Sequence, residues 1–113
     1  MATATTAIIK QGDAYAIPVT LKIGGDTVTA NNLSLIDKVE FMIGANIRKV
    51  YPTDATFADG KFQVPVTQAE TFTLPEDDEV EFDVRVHFTS GNVQGIQKKL
   101  KIKVVDAISE VVL

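Results

Sequence analysis

The chain has 113 residues, no cysteine, no tryptophan, a single histidine and a formal net charge of −4. That length suits one domain of ~100–150 residues with its own core, expected to span 1–113, and the missing cysteines exclude a disulfide framework, a thiolate nucleophile and a cysteine zinc site. The acidic balance argues against nucleic acid and anionic membrane as partners; with no run near ~20 apolar residues and no basic, apolar leader in "MATATTAIIKQGD", no membrane partner and synthesis in a cytoplasm are expected.

Period-two patterning dominates from the start. "AYAIPVTLKI" places Tyr15, Ile17, Val19, Leu21 and Ile23 on one face of a strand. Pro18 falls on the other face, where its missing N–H implies a sheet edge or a bulge. "GGD" at 24–26 reads as a turn, because glycine takes positive φ at no steric cost. "DKVEFMIG" turns Val39, Phe41 and Ile43 inward, "NIRKVYP" is a weaker strand stopped by Pro52, and "ADGK" at 58–61 reads as a hairpin turn. "GKFQVPV" then offers Phe62, Val64 and Val66, with Pro65 on the opposite face. In "VTQAETF" the period changes: Thr67 and Glu70 stand three apart, the spacing of a capping box, which predicts one short helical turn near 67–72.

"EVEFDVRVHF" (79–88) alternates without a break, with Val80, Phe82, Val84, Val86 and Phe88 inward. A turn at "SGN" (90–92) and a three-residue loop set Thr89 opposite Val93 and Phe88 opposite Gln94. The same offset pairs Phe82 with Leu100, Val80 with Ile102, Asp83 with Lys99, Glu81 with Lys101 and Glu79 with Lys103. A one-residue slip would set apolar residues against lysines, so the pattern selects its register. Near the turn the fit is worse, since Lys98 falls inward there, and Gly95 is the natural place for a correcting bulge.

The candidate chemistry lies on these charged faces. Glu79, Glu81 and Asp83 have the spacing of a paired-carboxylate site, but lysine partners on the next strand make them the solvated side of a sheet. "PEDDE" (75–79) lacks the aspartate and glycine spacing of a calcium loop. His87 faces outward and has no second histidine to share a metal. No serine sits in a nucleophile elbow. The expectation is therefore no enzyme, no catalytic residue, no cofactor and no metal. The apolar end, with Ile108, Val111, Val112 and Leu113, is expected either to pack on its own sandwich or to pair with another subunit, because an uncovered apolar strand is an edge liability, and it is the first place to look for an interface.

Taken in order, these segments resemble an immunoglobulin-like module of bacteriophage tail and baseplate proteins, of the type found at the N-terminus of upper baseplate proteins from phages of Gram-positive bacteria. The resemblance runs over about 8–109. It rests on Lys10, Gly12 and Asp13 ahead of the first long strand, on "GGDTVTANNLSLIDKVEFMI", on Thr67, Glu70 and Leu74, and on Phe82, Asp83, Val84, Gly91, Val93, Leu100, Val104 and Asp106. Residues 45–55 fit no part of that pattern. The fold expected is an all-β, immunoglobulin-like antiparallel sandwich of about seven strands. The function implied is a structural virion component of tail or baseplate, made in the bacterial host cytoplasm, whose partners are other phage structural proteins and further copies of itself. The alternative is a carbohydrate- or cell-surface-binding sandwich, for which Tyr15, Tyr51, Phe57 and Phe72 would have to supply the aromatic platform.

Overall fold

A computed structural model describes residues 2–5, 9–10, 15–74, 78–96 and 99–105; of residues 2, 5, 9, 10 and 15 only the backbone is described. Eleven strands occur among them: β1 (Ala2–Thr5), β2 (Ile9–Lys10), β3 (Tyr15–Ile23), β4 (Asp26–Thr27), β5 (Ile36–Ile43), β6 (Ile47–Tyr51), β7 (Thr56–Ala58), β8 (Lys61–Val66), β9 (Glu79–Phe88), β10 (Val93–Gly95) and β11 (Leu100–Val105). A 3-10 turn at Leu33–Leu35 leads into β5, and a five-residue helix, α1 (Gln68–Phe72), carries the chain from β8 to β9.

The strands form two sheets. One has the order β1-β3-β8-β7, with β4 on β3; the other has the order β2-β11-β9-β5-β6, with β10 on β9. Every described pairing is antiparallel except β2 with β11. The two sheets pack as a sandwich, and β1-β3-β8-β7 facing β5-β9-β11 follows the strand order of an immunoglobulin-like fold, in which strands A, B, E and D face C, F and G. The expected all-β sandwich is therefore the fold, though with more strands than about seven. The additional ones, β1, β2, β4 and β7, are two to four residues long, too short to display a period of two.

The core is where the alternation put it. Ile17, Val19 and Leu21 of one sheet meet Val39, Phe41, Phe82, Val84 and Val86 of the other, all essentially excluded from solvent. Phe41 lies at its centre, with ring centroids 5.6 Å from Phe62 and 6.3 Å from Phe82. Both strand prolines sit where the ladder is open. Pro18 pairs with Gln63 on one side, while β1 covers only Thr20–Ile23 on the other; Pro65 pairs with Ala16 and lies beyond the reach of β7. A missing N–H costs nothing at such an edge.

The turns follow their residues. Gly24 and Gly25 (φ +61° and +88°) join β3 to β4, and Asp59–Gly60 (φ +53° and +74°) joins β7 to β8, the two-residue turn that matches strand twist. The capping box is present, with Glu70 N donating to Thr67 Oγ1 at 3.1 Å and Thr67 N to Glu70 Oε1 at 2.9 Å. Residues 45–55, unplaced by the resemblance, complete β6 and then cross to the other sheet through a turn with a cis Tyr51–Pro52 bond and a buried Ala55.

The final hairpin needs one correction. Leu100, Lys101, Ile102 and Lys103 pair with Phe82, Glu81, Val80 and Glu79 as the charges dictate. Nearer the turn, however, Val93 opposes His87 and Gln94 opposes Val86, an offset two residues tighter. Two residues are thus inserted between β10 and β11. The inward place opposite Val84, which a straight register assigns to Lys98, goes to the buried Ile96, whose N–H donates to Val84 O at 3.0 Å. Burying an aliphatic side chain there instead of an ammonium is the physical reason for the insertion.

Candidate functional site

The outer face of the β9–β5–β6 sheet is where charged side chains are most tightly organised. Its polar residues face out because their neighbours in sequence fill the core. A bulge at Asp37 lets both Ile36 and Val39 turn inward despite their odd spacing, and it brings Lys38 opposite His87 and Glu40 opposite Arg85. Across β6, β5, β9 and β10, one row therefore reads Val50, Glu40, Arg85, Gly95, and the next holds Lys38, His87 and Val93.

Glu40 is the centre of this arrangement. Its Oε2 accepts from Arg48 Nε at 2.6 Å, and its Oε1 accepts from Arg85 Nη2 and Nε at 2.7 and 3.1 Å. The carboxylate side chain is 17% exposed, whereas the two arginine side chains that grip it remain about 60% exposed. The hydrogen bond from Arg48 is the main reason the Glu40 carboxyl is held below its ordinary value of 4.5; desolvation opposes it, and Arg85 adds to the lowering. His87 Nδ1 lies 2.8 Å from Asp37 Oδ2. Lys38 is exposed and makes no ion pair among the described residues. Lys38, Glu40, Arg48, Arg85 and His87, together with Val50 and the 60% exposed Val93, line a shallow depression of about 300 Å³.

Of the residues singled out from sequence, His87 lies in this depression, whereas the carboxylates Glu79, Glu81 and Asp83 lie toward the other end of β9. Glu81 makes one loose ion pair, 3.4 Å from Lys99, both side chains 63% exposed. Asp83 was expected opposite Lys99; that pairing is not formed, since β11 starts only at Leu100, and Asp83 instead accepts from Val84 N at 3.0 Å beside Met42. Glu79 is exposed opposite Lys103. Among the described residues no group of three or more histidine, aspartate or glutamate side chains is placed to hold a metal ion, and no helix is long and apolar enough to cross a membrane. Residues 75–77 of the acidic run, and the proposed interface at Ile108, Val111, Val112 and Leu113, lie outside the described residues.

Two local anchors escaped the sequence reading. Asp54 folds back on the free edge of β6, accepting from Val50 N at 3.1 Å while its own N–H donates to Val50 O at 2.5 Å, which blocks that edge against pairing. Glu70, besides capping α1, binds Lys49 Nζ at 2.9 Å and so ties the helix to β6. Burial alone would raise the Glu70 carboxyl, but the Lys49 ammonium and the Thr67 N–H outweigh it and hold it low. The advance signal for the Glu40 centre was a glutamate on β5 with Arg85 in its row and Arg48 diagonal to it on β6, legible only once strand neighbours are known.

The fold defines the chain as an antiparallel β-sandwich with immunoglobulin-like strand order, carrying a cationic depression on one outer face. No protein-family model matches the chain, and no curated protein matches it either.

Proposed function

We propose that the chain is a structural component of a phage tail or baseplate, made in the bacterial host cytoplasm and held in the virion by contacts with other structural proteins and with copies of itself. The observation that carries this reading is the outer face of the six-stranded sheet, where Glu40 fixes Arg48 and Arg85 above a rigid core and Val93 stands exposed among them. Pre-ordered charge around an exposed aliphatic side chain suits recognition of another protein surface. The order of turn and strand signals that carries the phage resemblance supports the same reading, and no residue is given a catalytic role.

The glycan-binding alternative needs an aromatic platform. Tyr51 and Phe57, both half-buried, instead pack edge-on against the buried Phe62, with centroids 5.2 and 4.9 Å away. Absolute mass by light scattering over a wide concentration range, run beside titration with cell-wall glycans, tests the reading. A closed oligomer that survives dilution supports it; a strict monomer that binds glycan overturns it.

A further inference from the structure

We infer that the depression above Lys38, Arg48 and Arg85 receives an acidic segment of a partner protein, one with an aliphatic side chain between its carboxylates. This rests on the protein-contact reading above and names the chemistry of the partner. Charge is the first argument. The lining holds three permanent cations, Lys38, Arg48 and Arg85, and one carboxylate, Glu40, which binds only the two arginines, on a chain whose overall charge is −4. The cationic surplus is therefore local, and it is concentrated where a depression exists to receive something.

Preorganisation is the second argument. Glu40 binds both guanidiniums from below, yet most of each arginine side chain stays exposed. Less side-chain freedom is then lost when a second carboxylate arrives, which lowers the cost of binding. Shape is the third. About 300 Å³, with Val50 and Val93 on its lining, suits one or two side chains of an extended segment. The lining holds no phenylalanine, tyrosine or tryptophan and no long basic stripe to follow a phosphate backbone, so nucleic acid fits less well than an acidic peptide.

The test uses the full chain, isotopically labelled, and amide shifts read by NMR. The probes are a short capped peptide with one leucine flanked by glutamates, its counterpart with lysines for glutamates, and oligothymidylate. The acidic peptide is expected to move the amides of Lys38, Arg48, Arg85 and Val93, saturably and less so as salt is raised. Lys38→Glu should weaken it by about three- to tenfold, and Arg85→Glu should abolish it. Lys38→Glu breaks no described ion pair, so it keeps the test decisive even where Arg85→Glu harms folding. Silence of these amides overturns the inference, as does equal response to the lysine peptide, which would leave the protein-contact reading standing. Tighter binding of oligothymidylate at these amides overturns the inference in favour of a polyanion. Displacement of the acidic peptide by a cell-wall glycan overturns both readings.

Discussion

The two ends of β9 present the same kind of surface to the sequence and two different surfaces in the fold. At the Glu79 end, outward carboxylates face a column of lysines on β11, and the one described ion pair is long and well exposed. At the Arg85 end β9 lies between β5 and β10, with β6 beyond β5, and two arginine side chains converge on the half-buried Glu40 with three hydrogen bonds. Charges that pair across an exposed sheet contribute little, because water competes and long side chains lose freedom. Charges that share one partly desolvated partner become ordered and so acquire a shape. An outward charge on a strand is thus interpretable only with its cross-strand neighbours.

Substitutions can break that comparison. Phe41→Ala removes the ring beneath both ends and should cost about 3–5 kcal/mol, measured by chemical denaturation; a loss under ~1 kcal/mol would mean the core is not centred there. Gly44→Ala acts at the acidic end alone. Gly44 has φ +63° and its new Cβ would stand 2.9 Å from Val80 Cγ2, so a loss of at least ~1–2 kcal/mol is expected from the backbone term. Glu40→Gln should cost about 1 kcal/mol, discounted for the exposure of its arginines, and should broaden the Arg48 and Arg85 Nε signals. Glu81→Gln, its counterpart at the other end, should stay within ~0.5 kcal/mol; equal losses in the two would erase the distinction.

Acid sharpens it further. The folded values of Glu40 and Glu70 lie below the ordinary 4.5, so the unfolded chain takes up their protons first as pH falls. Their stabilisation is complete above that ordinary value and is lost as pH drops through the lowered folded values. A denaturation midpoint followed downward from pH 6 should fall below about pH 4.5, and less steeply in Glu40→Gln.

Residue order is enough to predict the strand alternation of Ile17 to Leu21, Val39 to Ile43 and Val80 to Val86, the Asp59–Gly60 turn, the Thr67–Glu70 cap and the pairing of Phe82 with Leu100. These are local, or follow from the period of a strand and the sign of charges one hairpin apart. Tertiary structure alone decided the rest. Glu40 meets Arg85 across 45 residues of chain, and Lys49 meets Glu70 across 21. The bulge at Asp37 and the inward Ile96 likewise depend on which strand lies alongside. Periodicity says which way a side chain points; only the order of strands in the sheet says what it points beside.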